Sequence, residues 1–532
     1  MPQRIRPLFR TLSAIGFSLG LIAIAAPAGA QQSGEALVNS RCSGCHERMA
    51  NGKLSRVGEI RKTPEGWDMN IARMMVVHGV EVSSEERSAL VKYLSDTQGL
   101  APVETRDWRY ILERKPAVFE NIPDEELGVM CARCHSFART ALQRRDEAEW
   151  LKHAHFHLGQ WPTTEYQALG RDRNWWEIAS TVVPKKLAKL FPLESDAWNQ
   201  WKGRPAADLS GAWRVVGNRP GKGSFEGVLA LAAKGGDNYS LRMEINYSDG
   251  SSAKGSGAAI LYTGYEWRAS ISLGGEDSLQ VMALSASAGE MSGRWFLAEQ
   301  DAISGTIQAV RSGAGAPARV LSVTPRYIKV GETAQLAIHG VNLGDKVSLG
   351  KGVKINKVVS SSANTVVVSA TASGNAGEHT VVAGAAQGPE ALTVYDKVDS
   401  IMVEPDYNIA RVGGGAIPPV PAQFEAVAFM NGADGEAGTA DDIRIGVMPA
   451  KWSVANHGDF AEMLDDAKYT GKLTQSGMFN PASAGLNPER PFSTNNVGDL
   501  SINAAVDVGG QTMEGSAQLI VTVQRWNDPP IR

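Results

Sequence analysis

The sequence predicts a multidomain protein in which a helical N-terminal domain is followed by three all-β domains. Its 532 residues correspond to about three to five domains of ordinary size. Eight of the 13 tryptophans lie at or before Trp201, and all four cysteines lie at or before Cys134. After Asp208, short runs that alternate between apolar and polar residues are separated by glycines, a pattern typical of β-sheets.

The composition excludes several classes of protein. Hydrophobic residues make up 43% of the chain and charged residues 21%, which indicates a folded globular protein rather than a disordered one. The 53 basic and 57 acidic side chains give a net charge of −4, which disfavours a nucleic-acid-binding function. Four cysteines in 532 residues are too few for a disulfide-rich scaffold.

Residues 1–30 have the pattern of a cleaved signal peptide. Three arginines in the first ten residues precede an apolar stretch from Ala14 to Ala26, and Ala28-Gly29-Ala30 matches a small-residue cleavage site. The apolar stretch is too short to cross the membrane comfortably, and no later stretch reaches about 18 apolar residues. We expect a mature protein that begins near Gln31, lies in a bacterial periplasm and has no membrane span.

The cysteines form two motifs that are typical of c-type haem attachment. They occur in Cys42-Ser43-Gly44-Cys45-His46 and in Cys131-Ala132-Arg133-Cys134-His135. In a C-x-x-C-H motif both thiols bond to the haem vinyl groups and the histidine ligates the iron. A redox-active pair should lie in a βαβ unit, and a zinc site would not need a histidine after both pairs. The sequence therefore predicts two covalently bound haem c groups, with His46 and His135 as proximal ligands.

The region around the motifs contains a short internal repeat. Trp67 precedes Met74 by seven residues, Trp150 precedes His157 by seven residues, and each tryptophan opens a run with helical character. A further helix follows the first copy. Its expected cap is Ser83 or Ser84, and Leu90, Val91 and Leu94 are its predicted buried residues.

The distal ligand of the second haem follows from elimination. No methionine occurs between His135 and Met243, so the candidates are three histidines: His153, His155 and His157. The repeat favours His157.

The first haem has more candidates, namely Met69, Met74, Met75 and His78. The repeat favours Met74, and Met75 and His78 remain the alternatives because both lie close to it on the same helix. Histidine–methionine ligation raises a haem potential relative to bis-histidine ligation, so two unlike haems would form a directional relay.

We expect four domains after the signal peptide, with boundaries at 31–205 (helical), 208–315 (β-barrel-like), 316–395 and 396–532 (both immunoglobulin-like). The last contains a polar insertion from Asn431 to Asp442, which holds Asp434, Glu436, Asp441 and Asp442. This spacing differs from that of an EF-hand loop, so a solvated turn is favoured over a calcium site.

A secreted chain with these two motifs and three β domains resembles the α (dihaem cytochrome c) subunit of quinohemoprotein amine dehydrogenase. The resemblance extends over the full length and includes Thr63-Pro64-Glu65-Gly66-Trp67 and Leu321-Ser322-Val323-Thr324-Pro325. It implies one bis-histidine haem and one histidine–methionine haem, which agrees with the ligands reached by elimination.

The resemblance also implies partners. Members of that family form an αβγ heterotrimer with a β-propeller subunit and a small subunit that bears cysteine tryptophylquinone. The complex deaminates primary amines to aldehyde and ammonia, and electrons pass through the α haems to a copper protein or cytochrome c. All four cysteines of this chain belong to the haem motifs, so none remains for a quinone crosslink. We therefore expect no catalytic residue in this chain.

Two other functions remain open at this point. A dihaem peroxidase would also have two C-x-x-C-H motifs, but it would need an open or displaceable distal position at one haem. A free-standing multidomain electron-carrier cytochrome would use its β domains for docking. Peroxide-dependent turnover would identify the first, and the absence of co-purifying subunits would identify the second.

Overall fold

The computed structural model describes residues 33–115, 118–161, 173–313, 315–374, 376–415 and 417–523. The predicted signal peptide, residues 1–30, lies outside the described residues. Among the described helices, none is long and apolar enough to cross a membrane.

The N-terminal region is helical, as the sequence predicts. Its helices are α1 (Gly34–Arg41), α2 (Pro64–His78), α3 (Ser84–Gln98), α4 (Pro102–Thr105), α5 (Glu125–Cys131), α6 (Ala138–Ala141), α7 (Glu147–Gln160), α8 (Trp175–Thr181), α9 (Val183–Leu190) and α10 (Asp196–Trp201), with a 3-10 helix at Arg106–Ile111. Two short strands, β1 (Arg61–Lys62) and β2 (Gln143–Arg144), pair antiparallel and join the two halves of this region.

Local sequence signals explain where these helices begin and end. Ser83 caps α3, and its side chain and that of Glu86 form a reciprocal capping box. The predicted apolar stripe of α3 is buried. Helix α2 ends at Gly79, whose φ of 69° requires the left-handed conformation that glycine adopts without strain.

The next domain is a closed eight-stranded barrel in the order β10-β3-β4-β5-β6-β7-β8-β9. Its strands are β3 (Gly211–Arg219), β4 (Gly223–Gly235), β5 (Asn238–Tyr247), β6 (Ser252–Tyr262), β7 (Glu266–Leu273), β8 (Glu276–Leu284), β9 (Glu290–Leu297) and β10 (Ser304–Arg311). Alternate residues of each strand point inward, and Trp213 and Trp267 are fully buried in the core. Closure leaves no free sheet edge in this domain.

The third domain is a sandwich of two four-stranded sheets, ordered β11-β13-β16-β15 and β12-β18-β17-β14. Its strands are β11 (Arg319–Thr324), β12 (Tyr327–Lys329), β13 (Thr333–Val341), β14 (Val347–Ser348), β15 (Val353–Ser361), β16 (Thr365–Ala372), β17 (Gly377–Ala383) and β18 (Ala386–Tyr395). The inner faces bury aliphatic side chains such as Leu336, Val368 and Leu392, as expected for packed sheets.

The last domain contains strands β19 (Ser400–Glu404), β20 (Tyr407–Arg411), β21 (Ala422–Gln423), β22 (Glu425–Met430), β23 (Ile443–Val447), β24 (Lys451–Asn456), β25 (Gly471–Leu473), β26 (Met478–Pro481), β27 (Gly498–Val508) and β28 (Gln511–Thr522). They form sheets ordered β19-β22-β23, β20-β28-β27-β24 and β21-β26-β25. Two short helices, α11 (Asp459–Leu464) and α12 (Asp466–Tyr469), interrupt the strands. A helical region followed by several β domains confirms the predicted fold class.

The helical region packs directly on the barrel. Arg268 of β7 donates hydrogen bonds to the carboxylate of Glu65 in α2, with Nη2 3.3 Å from Oε2. The buried Tyr265 hydroxyl lies 2.9 Å from Thr105 Oγ1. The first contact holds α2, which bears the candidate distal ligands of the first haem, against the barrel, and the second holds α4 there.

Candidate haem sites

Each C-x-x-C-H motif follows the end of a short helix. Cys42 caps α1, and the backbone N–H groups of Cys45 and His46 donate to the Cys42 carbonyl at 3.2 and 3.0 Å. In the second motif, α5 ends at Cys131 itself. In each pair the first cysteine is half-buried and the second is exposed. The motifs therefore present one thiol to the interior and one to the surface, on a single tight turn.

The thiols do not have the character of a redox-active pair. None of the four cysteines forms a disulfide. Burial raises the pKa of the Cys42 thiol and raises that of Cys131 to about 12. Reactive C-x-x-C pairs have thiol pKa values below the ordinary range, so these pairs differ from redox motifs. One half-buried and one exposed thiol, followed directly by a histidine, fit covalent attachment to a haem edge.

Three histidine rings each place Nδ1 beside a backbone carbonyl oxygen. Nδ1 of His46 lies 2.9 Å from the Ser55 carbonyl, Nδ1 of His135 lies 2.9 Å from the Ser136 carbonyl, and Nδ1 of His157 lies 2.9 Å from the His153 carbonyl. A carbonyl can only accept, so each Nδ1 must donate its proton. Each Nε2 is then the unprotonated ring nitrogen, which is the nitrogen that can ligate a metal.

The rings of His135 and His157 lie at a separation that would accommodate an iron atom between them. Their ring centroids are 6.5 Å apart, with 37° between the ring planes. Two imidazoles on opposite sides of a metal, with metal–nitrogen bonds of about 2 Å, place their centroids about 6 Å apart. The residues present therefore fit a bis-histidine haem at the second motif.

The other two histidines of α7 have different surroundings. His153 stacks on Phe156, at 5.6 Å between centroids and 3° between planes, and meets the ring of His157 edge-on at 4.7 Å. His155 packs edge-on against Trp176 at 4.7 Å. Of the three candidates, His157 is the one whose ring is paired with His135, so the geometry supports it, and its role as ligand remains a prediction.

The internal repeat has a structural counterpart. Thr63 caps α2 directly after β1, and Asp146 caps α7 two residues after β2. Trp67 and Trp150 are each 2% exposed and hold equivalent positions in the two helices. Because β1 and β2 pair with each other, the two strand–helix units lie side by side. Met74 and His157 then occupy equivalent places, each seven residues after its buried tryptophan.

Burial separates the candidates for the first haem only in part. Met69, Met74 and Met75 are partly buried, whereas His78, at the end of α2, is exposed. Met75 lines an open cleft of about 580 Å³ that also includes Val82 and Arg41, the residue next to Cys42. The repeat favours Met74 and the cleft favours Met75, so the prediction of Met74 stays open between these neighbours.

Sequence reasoning missed the basic residues that precede each helix of the repeat. Arg61-Lys62 precedes Thr63, and Arg144-Arg145 precedes Asp146. All four of these side chains are buried, and both members of the Arg61–Arg144 pair contact Glu104. Extending the repeat two residues towards the N-terminus would have revealed the paired basic residues. Nothing in the sequence identified Glu104, because its contacts span about 40 residues in both directions.

The β domains contain no comparable site in the part of the chain that the structure describes. No group of three or more histidine, cysteine, aspartate or glutamate side chains there could hold a metal ion. In the polar insertion, Asp441 Oδ2 accepts a hydrogen bond from the Ala433 N–H at 2.6 Å, and Asp434 Oδ1 accepts from the Glu436 N–H at 2.9 Å. These carboxylates stabilise the turn itself.

The fold and the two motifs define a haem-binding protein with a helical haem domain and three β domains. Four family models match consecutive parts of the chain. They are the haem-binding region of the quinohemoprotein amine dehydrogenase alpha subunit at residues 32–198, and its domains II, III and IV at residues 206–312, 317–396 and 401–531. The chain belongs to the quinohemoprotein amine dehydrogenase alpha subunit family, and the resemblance seen in the sequence is confirmed.

Comparison with solved structures adds little to this assignment. A redesigned β-barrel is 17% identical over 19% of this chain and 90% of its own length, with a TM-score of 0.17. The mouse clustered protocadherin PcdhgC3 EC1-3 is 12% identical over 46% of this chain and 76% of its own, with a TM-score of 0.17. Scores this low support no argument about function. No curated protein matches the chain.

Proposed function

We propose that this chain is the dihaem electron-transfer subunit of a periplasmic quinohemoprotein amine dehydrogenase. The observation that supports this most directly is the pairing of His135 and His157, whose rings lie 6.5 Å apart beside a C-x-x-C-H motif. Membership of the alpha subunit family supports the haem-binding role. When bound, a haem supplies a one-electron redox centre.

The residues of this chain hold and tune two such centres. Cys42 and Cys45 attach the first haem, and Cys131 and Cys134 attach the second. His46 and His135 are the proximal ligands, and hydrogen bonds from Nδ1 to backbone carbonyls hold their rings in place. His157 would supply the distal ligand of the second haem, and Met74, or its neighbour Met75, that of the first.

The amine chemistry belongs to partner subunits. This chain commits all four cysteines to haem, so a tryptophan-derived quinone crosslinked to cysteine must come from another chain. A β-propeller subunit and a small quinone-bearing subunit complete an αβγ heterotrimer. Electrons leave this chain for a periplasmic copper protein or cytochrome c. The three β domains act as scaffold, since obligate interfaces commonly bury about 2,000 Å² or more.

Rapid mixing of the purified complex with a primary amine tests this function. The absorbance of the reduced haems should appear after quinone reduction and should be abolished when the quinone is blocked with a hydrazine. The isolated chain should accept electrons from dithionite but should not oxidise amines. Intact mass should show the chain from Gln31 plus two haems.

Three results would contradict the proposal. A mass with one haem or none would remove the dihaem assignment. Amine oxidation by the isolated chain would relocate the active site to this polypeptide. Peroxide-dependent turnover by the isolated chain would favour a dihaem peroxidase, which needs an open distal position.

A further inference from the structure

A cluster of cations lies between α2 and α7, the two helices that contain the predicted distal ligands. It consists of Lys62, Arg73, Arg139 and Arg145, and we refer to it as the cationic cluster. Lys62 and Arg145 are 7% and 4% exposed. The Arg73 guanidinium of α2 lies over the ring of Phe156 in α7, 4.5 Å from its centroid. Four positive side chains thus converge on a largely buried region.

Lys62 is a deeply buried member of the cluster with a neutral partner. Its ammonium donates to Asn70 Oδ1 at 3.1 Å, and within the described ranges no carboxylate lies within 4 Å of its nitrogen. Burial, followed by repulsion from Arg145, Arg73 and Arg139, lowers the pKa of Lys62 well below its ordinary value. A buried ammonium with a single neutral partner is costly unless an anion completes the site.

Arg145 is also incompletely paired. Its Nη2 donates to Gln143 Oε1 at 3.0 Å, and Nη1 is 3.9 Å from Glu149 Oε2. Its buried Nε has no hydrogen-bond partner among the described atoms. Glu149 cannot neutralise the cluster, because it also contacts Arg56 at 3.1 Å and Lys152 at 2.6 Å.

The cluster lies beside the candidate bis-histidine site. The Phe156 ring that faces Arg73 is 6.0 Å from the ring of His157. Arg145 lies over Trp150, whose ring is 6.0 Å from that of His153. A haem carries two propionate carboxylates besides its iron, and these are the anions that a dihaem protein must accommodate.

We propose that the cationic cluster binds propionate carboxylates of the haem ligated by His135 and His157, and that it raises the reduction potential of that haem. The inference rests on the proposed function, which supplies the haem. Fixed positive charge disfavours the oxidised iron, which bears one more positive charge than the reduced iron. Bis-histidine ligation lowers the potential relative to histidine–methionine ligation, and the positive charge of the cluster would partly reverse this decrease.

The test uses the purified complex with both haems bound. Spectroelectrochemical titration should show that Lys62→Met and Arg73→Gln each shift one midpoint potential downwards. The shifted haem should be the one without a methionine–iron charge-transfer band. Resonance Raman spectra should show a shifted propionate bending band for the same haem. Arg73→Lys, which retains the charge, should restore the potential towards the wild-type value.

Lys189→Met is the matched control, since Lys189 is exposed on α9 and loses the same charge. It should move neither potential. If the Lys62→Met variant does not fold and accumulate, Arg73→Gln still tests the proposal. Arg73 is only partly buried on a helix surface, so its substitution should be tolerated. Unchanged potentials and propionate bands in the variants that bind two haems would overturn the proposal. A shift confined to the methionine-ligated haem would overturn it equally.

A solute anion is the competing occupant of the cluster. At constant ionic strength, the wild-type potential should not depend on phosphate concentration if haem carboxylates fill the site. A phosphate-dependent potential would overturn the proposal. If the proposed function itself is wrong, the wild-type chain will lack the mass of two covalent haems. That result is distinct from unchanged potentials in variants that bind both haems.

Discussion

Arg61 and Arg144 lie directly opposite each other in the β1–β2 ladder, and both donate hydrogen bonds to the carboxylate of Glu104. Arg61 Nη1 is 2.9 Å from Oε2, and Arg144 Nε is 3.1 Å from Oε1. The three side chains are 4 to 7% exposed. One buried carboxylate therefore joins the two strand–helix units that lead to the predicted distal ligands.

Substituting this carboxylate should weaken the haem domain. Glu104→Gln leaves two buried guanidinium groups without an anion, which should cost about 3–5 kcal/mol in the free energy of unfolding. Denaturant titration followed by haem absorbance measures the loss. Asp107→Asn is the control, because the Arg106–Asp107 pair is about 70% exposed and should contribute almost nothing. Equal stability of the two variants would contradict this role for Glu104.

The carboxylate of Glu104 should also make the stability of the protein depend on pH. Burial opposes ionisation of Glu104, but hydrogen bonds from Arg61 and the charge of Arg144 lower its pKa from 4.5 to about 2. A depressed carboxyl pKa stabilises the folded state above the unfolded-state pKa, and this contribution is lost as the pH falls through the folded-state pKa. The difference between the two pKa values of Glu104 corresponds to ~3 kcal/mol in the free energy of unfolding. The stability gap between wild type and Glu104→Gln should therefore shrink between about pH 5 and pH 2. A stability difference that stays constant over this pH range would contradict the lowered pKa of Glu104.

The second haem should depend on one histidine of α7. His157→Ala should abolish bis-histidine ligation at the haem held by Cys131 and Cys134, giving a high-spin spectrum by electron paramagnetic resonance. His155→Ala is the control, since its ring packs against Trp176 and should leave the low-spin signal intact. Loss of the signal in His153→Ala but not in His157→Ala would refute the alignment of the two repeats.

The first haem should depend on one methionine of α2. Loss of the methionine–iron charge-transfer band in Met74→Ala, and its retention in Met75→Ala, is the expected result. Met69→Ala provides a third comparison, because the Met69 sulfur lies 4.0 Å from Arg139 Nη2. The opposite outcome for Met74 and Met75 would move the ligand by one residue, to the side chain that lines the cleft beside Arg41.

The sequence by itself determined the fold class, and it predicts the chemistry of haem attachment. The C-x-x-C-H motifs at Cys42 and Cys131 are local patterns, because both thiols and the histidine must lie on one turn. The helix caps and the alternating strands are equally local, since hydrogen bonding and periodicity within about ten residues decide them. For this reason the cap of α3, expected at Ser83 or Ser84, and the fold class were predictable.

Only the tertiary structure decided which distant residues meet. Glu104 accepts hydrogen bonds from Arg61 and Arg144, the barrel closes when β10 pairs with β3, and the ring of His157 lies 6.5 Å from that of His135. The convergence of Lys62, Arg73 and Arg145 also depends on the pairing of β1 with β2. These contacts join residues far apart in the chain. They follow from the packing of whole elements against one another, which no local pattern encodes.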